Sequence, residues 1–209
     1  REAPVLVLEY RDPVRLPGGA ANAANNLLDL GCAVALAGAV GQDEPGRDLI
    51  AALRSKGADV RTVRRIRSFG TPVKTRILAG APHSAPQQIV RVDRMHNPGS
   101  RLRIPWKALT QSIQAADAII LSDYGYGNIV PSLRARLVRA AKEKDIPLVV
   151  DSRFRMSDFS DVTSITPNIT ELEAAVGISI NNDTKLLQQV GQRVLEDQRG
   201  HTLAMDVEH

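Results

Sequence analysis

A chain of 209 residues, 43% of them hydrophobic, has the length and apolar content to bury the core of one large domain, which excludes wholesale disorder. Its charge is only mildly basic, +4 from 27 Lys and Arg against 23 Asp and Glu. Aromatic residues make up 3%, so the stacking rings of a nucleic-acid surface are missing. No apolar run reaches the length of a membrane span, REAPVLVLEY is too short and acidic for a secretory leader, and the lone Cys32 precludes an internal disulfide. A cytoplasmic protein with neither membrane nor nucleic-acid partners is expected.

Along the chain, VLVLEY reads as a short strand, and a helix is predicted from about Gly19 to Leu30, stopped by Gly31. AVALAGAVG reads as a buried strand. EPGRDLIAALRSKG is a helix with Pro45 near its first position and Gly57 past its end. DVRTVRRI, TPVKTRILA and QQIVRVDR are strand-like, the last two joined by the turn-rich AGAPHSAP. The arginines at 61, 64, 65 and 67 read as the solvated face of an edge strand.

The second half is more regular. PWKALTQSIQAA is a helix, ADAIILSD a strand ending at Asp123, and VPSLRARLVRAAKEK an amphipathic helix. IPLVVDS is a strand ending at Asp151, VTSITPN a strand ending at Asn168, and ITELEAAVG a helix stopped by Gly177. Strands alternating with helices at this spacing imply an α/β fold with a parallel sheet and crossover helices. Ligands in such folds bind beyond the carboxyl ends of the strands, and three polar residues delivered to that one edge point to a site. At any single position a helix cap or a turn explains Asp or Asn equally well.

Near the start, LPGGAANAANN (residues 16–26) sets Gly18 and Gly19 before a helix lined with Asn22, Asn25 and Asn26. Paired glycines let backbone approach a ligand without a Cβ, and amides that both donate and accept suit sugar hydroxyls. A tight turn followed by a capped helix is the alternative reading. Four histidines, at 83, 96, 201 and 209, fall in loops or at the terminus without metal-ligand spacing.

The ordered set PGGAANAANNLLDLGCAVALAGAVGQDEPGRDL, SDYGYGNIVP and VDSRFRMSDFSDVTSITPNITELE resembles the ribokinase-like (PfkB) carbohydrate kinases over nearly the whole chain. With PVKTRILA and QQIVRVDR, the set is most similar to the D-glycero-D-manno-heptose 7-phosphate kinase branch, often the kinase half of a bifunctional heptose kinase/adenylyltransferase. The resemblance implies a ribokinase-like three-layer sandwich, α/β, with a central mostly parallel sheet and a small β-lid. The lid would draw on residues 4–16 and 72–95 of one domain spanning residues 1–209. It further implies ATP and Mg2+ as cofactors, a sugar phosphate as substrate, transfer to the anomeric hydroxyl, and a homodimer paired through the lid.

On these motifs Gly18, Gly19 and Asn22 match sugar-binding positions, and Asp123 matches the strand-end aspartate of the substrate site. Asp151, Asn168 and Glu171 match phosphate- and metal-proximal positions, with Glu171 reaching the metal through water. Lys74, Arg76 and Arg91, with Arg94 beside them, are candidates for the substrate's own phosphate; a charged sheet face is the alternative. Asp43 and Glu44 match a recurrent acidic pair, and capping of the helix at Pro45 explains them as well.

The chain also departs from the family pattern. A first strand that supplies a sugar-gripping aspartate is not seen before REAPVLVLEY, and Tyr126 stands where a lysine is expected. No Gly-Ala-Gly-Asp segment, which would bring the anion hole and general base, follows Gly177. No catalytic base can therefore be named, and these residues are expected to form an incomplete kinase domain, inactive alone. A PfkB kinase for another sugar or nucleoside, and a non-catalytic sugar-binding remnant, are the competing readings.

Overall fold

The computed structural model describes residues 7–80, 85–95, 104–181, 183–198 and 202–203. Its first unit is helix α1 (Ala20–Asp29), strand β1 (Ala35–Gly41), helix α2 (Glu44–Ser55) and strand β2 (Asp59–Ile66). β1 and β2 run parallel, with a register shift between Ala35 and Ala37. Ala21 and Ala24 of α1 pack with Ile50 and Leu53 of α2 and with Val40, Ala58 and Val60 into one buried cluster. Small residues on α1 let that helix lie close to its neighbours, as its alanine-rich sequence suggests.

Strands β3 (Val73–Ala79) and β4 (Gln87–Arg94) form an antiparallel hairpin that joins no other sheet among the described residues. The chain then returns through α3 (Trp106–Ala115) to β5 (Ile119–Asp123), α4 (Pro131–Lys144), β6 (Leu148–Ser152), β7 (Ser164–Ile165), α5 (Ile169–Val176), α6 (Thr184–Gln198) and β8 (Thr202–Leu203). β5, β6, β7 and β8 are parallel neighbours in that order. The main core lies beneath them, with Leu121, Leu137, Leu148, Val150, Phe159, Leu172 and Ile180 all strongly buried.

The β6–β7 connection contains only a 3-10 turn, Met156–Asp158, instead of a crossover α-helix. Met156, Phe159 and Val162 are each 5% exposed or less, so these apolar anchors cover the sheet where a helix otherwise would. That is the packing content of RMSDFSDV.

Local expectations are corrected at three places. Residues 7–10 of VLVLEY form no strand, and Val7 and Tyr10 stand 88% and 80% exposed; residues 1–6 lie outside the described residues. β1 is also less buried than its apolar sequence implies. Ala35 is exposed and only Val40 and Gly41 are fully covered, because β1 pairs on one edge alone among the described residues. VTSITPN forms only a two-residue ladder, since Pro167 has no N–H to extend it and Asn168 turns the chain into α5.

Candidate active site

Asp123 ends β5 and Asp151 lies one residue before the end of β6. The register sets Ser122 beside Asp151 and Asp123 beside Ser152. Because side chains alternate along a strand, this one-residue offset sends the two aspartates to different faces. They therefore have different surroundings and different partners.

Asp123 is 3% exposed and its carboxylate is fully engaged. Arg155 donates to its Oδ2 through Nη2 at 2.6 Å and Nε at 3.1 Å, and the Gly125 N–H donates to Oδ1 at 3.1 Å. Arg155 also donates to the carbonyl of Ile129 at 2.9 Å, so one guanidinium ties the loop after β5 to the strand end of β6.

Asp151 faces an open cleft of about 260 Å3 lined by Asp123, Tyr124, Asp151, Arg153, Thr166, Asn168 and Glu171. Burial pushes the Asp151 carboxyl above its ordinary value; the Ser122 hydroxyl, 3.4 Å away, opposes this, and the charge of Asp123 adds to it. Glu171 is likewise raised, first by burial and then by Asp151, against the hydrogen bond from the Asn168 N–H and the charge of Arg153. Burial raises the Tyr124 phenol as well, with Asp151 reinforcing the effect.

Asn168 and Glu171 start α5 as a reciprocal cap. The Glu171 N–H donates to Asn168 Oδ1 at 2.8 Å, and the Asn168 N–H donates to Glu171 Oε2 at 3.1 Å. Capping and cleft-lining are alternatives in the sequence, yet the structure has both. The cap employs one Glu171 oxygen, fixes the rotamer, and holds the carboxylate at the cleft.

The Gly-Gly turn adjoins this cleft. Gly19 sits at φ 57°, ψ −135°, a conformation that favours glycine, and a Cβ there would meet the Tyr124 ring at 3.4 Å. Gly18 faces open space on the side a Cβ would occupy, and no side chain caps α1, so the helix start is available to a ligand. Asn22 is exposed on the first turn.

Lys74, Arg76 and Arg91 do not line the cleft. They lie on the hairpin, where Lys74 pairs in register with Asp93 and Arg76 with Arg91, so all four share one face. Arg91 binds Asp93 at 2.6 Å, and Asp93 is held below its ordinary value by Arg91 first, then by Lys74 and Arg76. This face is within electrostatic reach of Tyr126 in the loop after β5. Arg94 falls in register with Val73, off that face. Asp43 is structural: it caps α2 through the Gly46 N–H and binds Thr71. Glu44 pairs with Arg15 at the surface. The four histidines lie outside the described residues.

Tyr124, Arg153, Arg155 and Thr166 fall within the quoted motif segments, but nothing in the sequence singles them out as site residues. The available signal is their position, one to four residues past a strand-end aspartate or one before the proline that precedes Asn168.

No group of three or more His, Cys, Asp or Glu side chains converges as a metal cage among the described residues. Magnesium does not require one, since it retains waters and takes one or two carboxylates plus substrate phosphates. Asp151 and Glu171, both raised by burial and both facing an open cleft, fit that demand: a bound cation would relieve their desolvation and mutual repulsion.

A family model described as pfkB family carbohydrate kinase matches residues 2–202. Among curated proteins the chain is 40% identical over 201 residues to Bifunctional protein HldE of Geobacter sulfurreducens, covering 93% of this chain and 39% of that protein. It is 36% identical over 189 residues to the protein of the same name from Helicobacter pylori, covering 88% and 40%. The chain thus spans about two fifths of the length of these relatives. Among solved structures, Arabidopsis thaliana ribokinase complexed with ribose and ATP superimposes with a TM-score of 0.68 at 16% identity, over 90% of this chain and 59% of that one. That likeness shows the ribokinase-like fold.

Proposed function

For a chain that belongs to the pfkB family of carbohydrate kinases, we propose ATP-dependent phosphorylation of the anomeric hydroxyl of a heptose 7-phosphate. The product would be the 1,7-bisphosphate, a precursor of nucleotide-activated heptose for lipopolysaccharide. The observation that carries the reading is an adjacency: the Tyr124 ring neighbours Gly19 of the Gly-Gly turn and also lines the carboxylate cleft of Asp151 and Glu171.

The chemistry follows from that arrangement. A sugar lies against the Gly-Gly turn, where Asn22 and the unblocked start of α1 address its hydroxyls. Lys74, Arg76 and Arg91 on the hairpin face hold the phosphate that the sugar already carries, which suits forked and point-charge donors on one strand face. Asp123, neutralised by Arg155, orders the loop bearing Tyr124 and so shapes the substrate side. Bound Mg2+ would offset charge on the nucleotide phosphates; Asp151 and Glu171, the latter through water, would hold it. Asn168 keeps Glu171 in place.

The 209 residues contain no Gly-Ala-Gly-Asp segment. They accordingly supply substrate and cation contacts without the donor array and base that phosphoryl transfer needs. These residues alone therefore bind but do not turn over. The hairpin is the proposed dimer contact and lid.

Calorimetry on the purified 209-residue protein tests the reading directly. Heptose 7-phosphate should bind at least about tenfold tighter than ribose, fructose 6-phosphate or adenosine, a gap of about 1.4 kcal/mol, with no ADP released from ATP. Equal or better binding of another sugar would replace the heptose assignment, and sustained ADP release would overturn the proposed inactivity.

A further inference from the structure

We propose that Arg153 is the anchor for the terminal phosphates of the nucleotide, an inference that rests on the kinase reading and gives a role to a residue to which the family resemblance assigns none. Among the described lining of the cleft, Arg153 is the one cation beside three carboxylates, Asp123, Asp151 and Glu171. The neighbouring guanidiniums are committed: Arg155 to Asp123 and the Ile129 carbonyl, and Arg134 to Asp158 at 2.6 Å. Arg153, by contrast, makes no side-chain hydrogen bond and no ion pair among the described residues.

Its position is nonetheless defined. The Arg153 N–H donates to the Asp123 carbonyl at 3.1 Å, fixing the backbone at the strand end. The guanidinium lies 5.4 Å from the centre of the Phe154 ring, and that ring packs where a Cβ on Gly125 would stand, at 3.1 Å. A guanidinium supported on a ring face keeps its N–H donors directed outward.

The charges then match one class of ligand. With Asp123 neutralised by Arg155, Asp151 and Glu171 face a single guanidinium. Two carboxylates alone would repel a polyphosphate, and an arginine alone would not need them. A polyphosphate carrying a divalent cation satisfies both, the cation meeting the carboxylates and a phosphate meeting the arginine fork. Arg153 already acts on this space, since its charge counters the upward shifts of Glu171 and Tyr124.

The test is calorimetry of MgATP, magnesium tripolyphosphate and heptose 7-phosphate on the wild-type protein, Arg153→Ala, Arg153→Gln and Arg153→Lys. Loss of a charge-assisted hydrogen bond should weaken MgATP and tripolyphosphate alike by about ten- to a hundredfold in the Ala and Gln variants. Lysine should restore part of it, and heptose 7-phosphate affinity and melting temperature should stay unchanged. Arg153→Gln retains the stem over Phe154 and decides the matter if alanine lowers the melting temperature. Wild-type binding of MgATP that all three variants retain would overturn the role of Arg153 and leave the kinase reading standing. A wild-type protein that binds heptose 7-phosphate but neither polyphosphate would overturn both the anchor and nucleotide binding by these residues. Parallel loss of sugar phosphate affinity would reduce Arg153 to a structural part.

Discussion

Tyr124 is the residue through which the two halves of the site meet. Its ring lies within van der Waals contact of the position a Cβ at Gly19 would take, and its phenol shares Ser122 with Asp151 as hydrogen-bonding neighbour. Asp151 itself is held at a cost to folding, because burial disfavours its charged form. A carboxyl whose folded pKa is raised stabilises the protein only below its unfolded value, 3.8 for an ordinary aspartate, and that contribution is lost as pH rises through the folded value. Asp151→Asn should therefore raise the melting temperature at about pH 7 by up to a few degrees, and the gain should vanish as the pH falls below about 4. Thermal denaturation from about pH 3.5 to about pH 8 checks this; a gain independent of pH would mean that charge is not the cause. Affinity for MgATP should fall in the same variant.

At the scale of elements, the junction of β1, α2 and the entry to β3 is a hydrogen-bonded clamp. Thr71 Oγ1 donates to Asp43 Oδ1 at 2.6 Å and accepts from the Gly41 N–H at 2.9 Å, while the Thr71 N–H donates to Asp43 Oδ2 at 2.8 Å. A Cβ at Gly41 would fall 2.5 Å from the Phe69 carbonyl and one at Gly46 would fall 2.5 Å from the Gly41 carbonyl, so both glycines are required by packing. Burial opposes ionisation of Asp43, but the bonds from Thr71 and Gly46 prevail and hold it below its ordinary value. The stability it contributes is present above the unfolded value of 3.8 and is lost as pH falls through the lower folded value. Asp43→Ala removes a cap and leaves buried Thr71 short of a partner, a loss of about 2 kcal/mol or more at about pH 7. Urea denaturation should show that loss, with the gap to wild type closing only below about pH 4. An undiminished gap at about pH 3 would place the effect in packing instead of charge. In the sequence, Asp43 is equally a helix cap and a member of a family acidic pair; the contacts with Thr71, 28 residues away, show a structural role.

For the whole molecule, the hairpin is the element least explained by this chain alone. A two-stranded antiparallel sheet is marginally stable by itself, and every residue of β4 is exposed. Ile77, Val90 and Val92 lie in register with Val90, Ile77 and Thr75 on the face opposite the arginines, and are 38%, 45% and 52% exposed. An apolar face of this kind is expected to meet a second copy, leaving the cationic face toward the sugar phosphate. Size-exclusion chromatography with light scattering should give about twice the 22.7 kDa chain mass, and Val92→Lys should convert it to monomer with weaker sugar phosphate binding. A wild-type monomer at tens of micromolar would discard the pairing.

Much of this protein is legible in its sequence because the signals are local. The caps at Gly57 and Gly177, Pro45 at the start of α2, the alternation in β3 and β4, and apolar strands that deliver Asp123 and Asp151 at or next to their carboxyl ends depend on neighbours a few residues away. The ordered motifs carry the family in the same way. Long-range relations come from the packing alone. Both aspartates border the cleft, but the β5–β6 register pairs Asp123 with Arg155 and leaves Asp151 beside Ser122, although both read alike as strand-end aspartates. Packing also sets Tyr124 on Gly19, more than a hundred residues apart in the chain, and leaves Arg153 without a carboxylate partner among the described residues while Arg155 is paired. Local propensity specifies which backbone state a residue adopts; which of two similar charges is neutralised depends on what the packed sheets bring beside it.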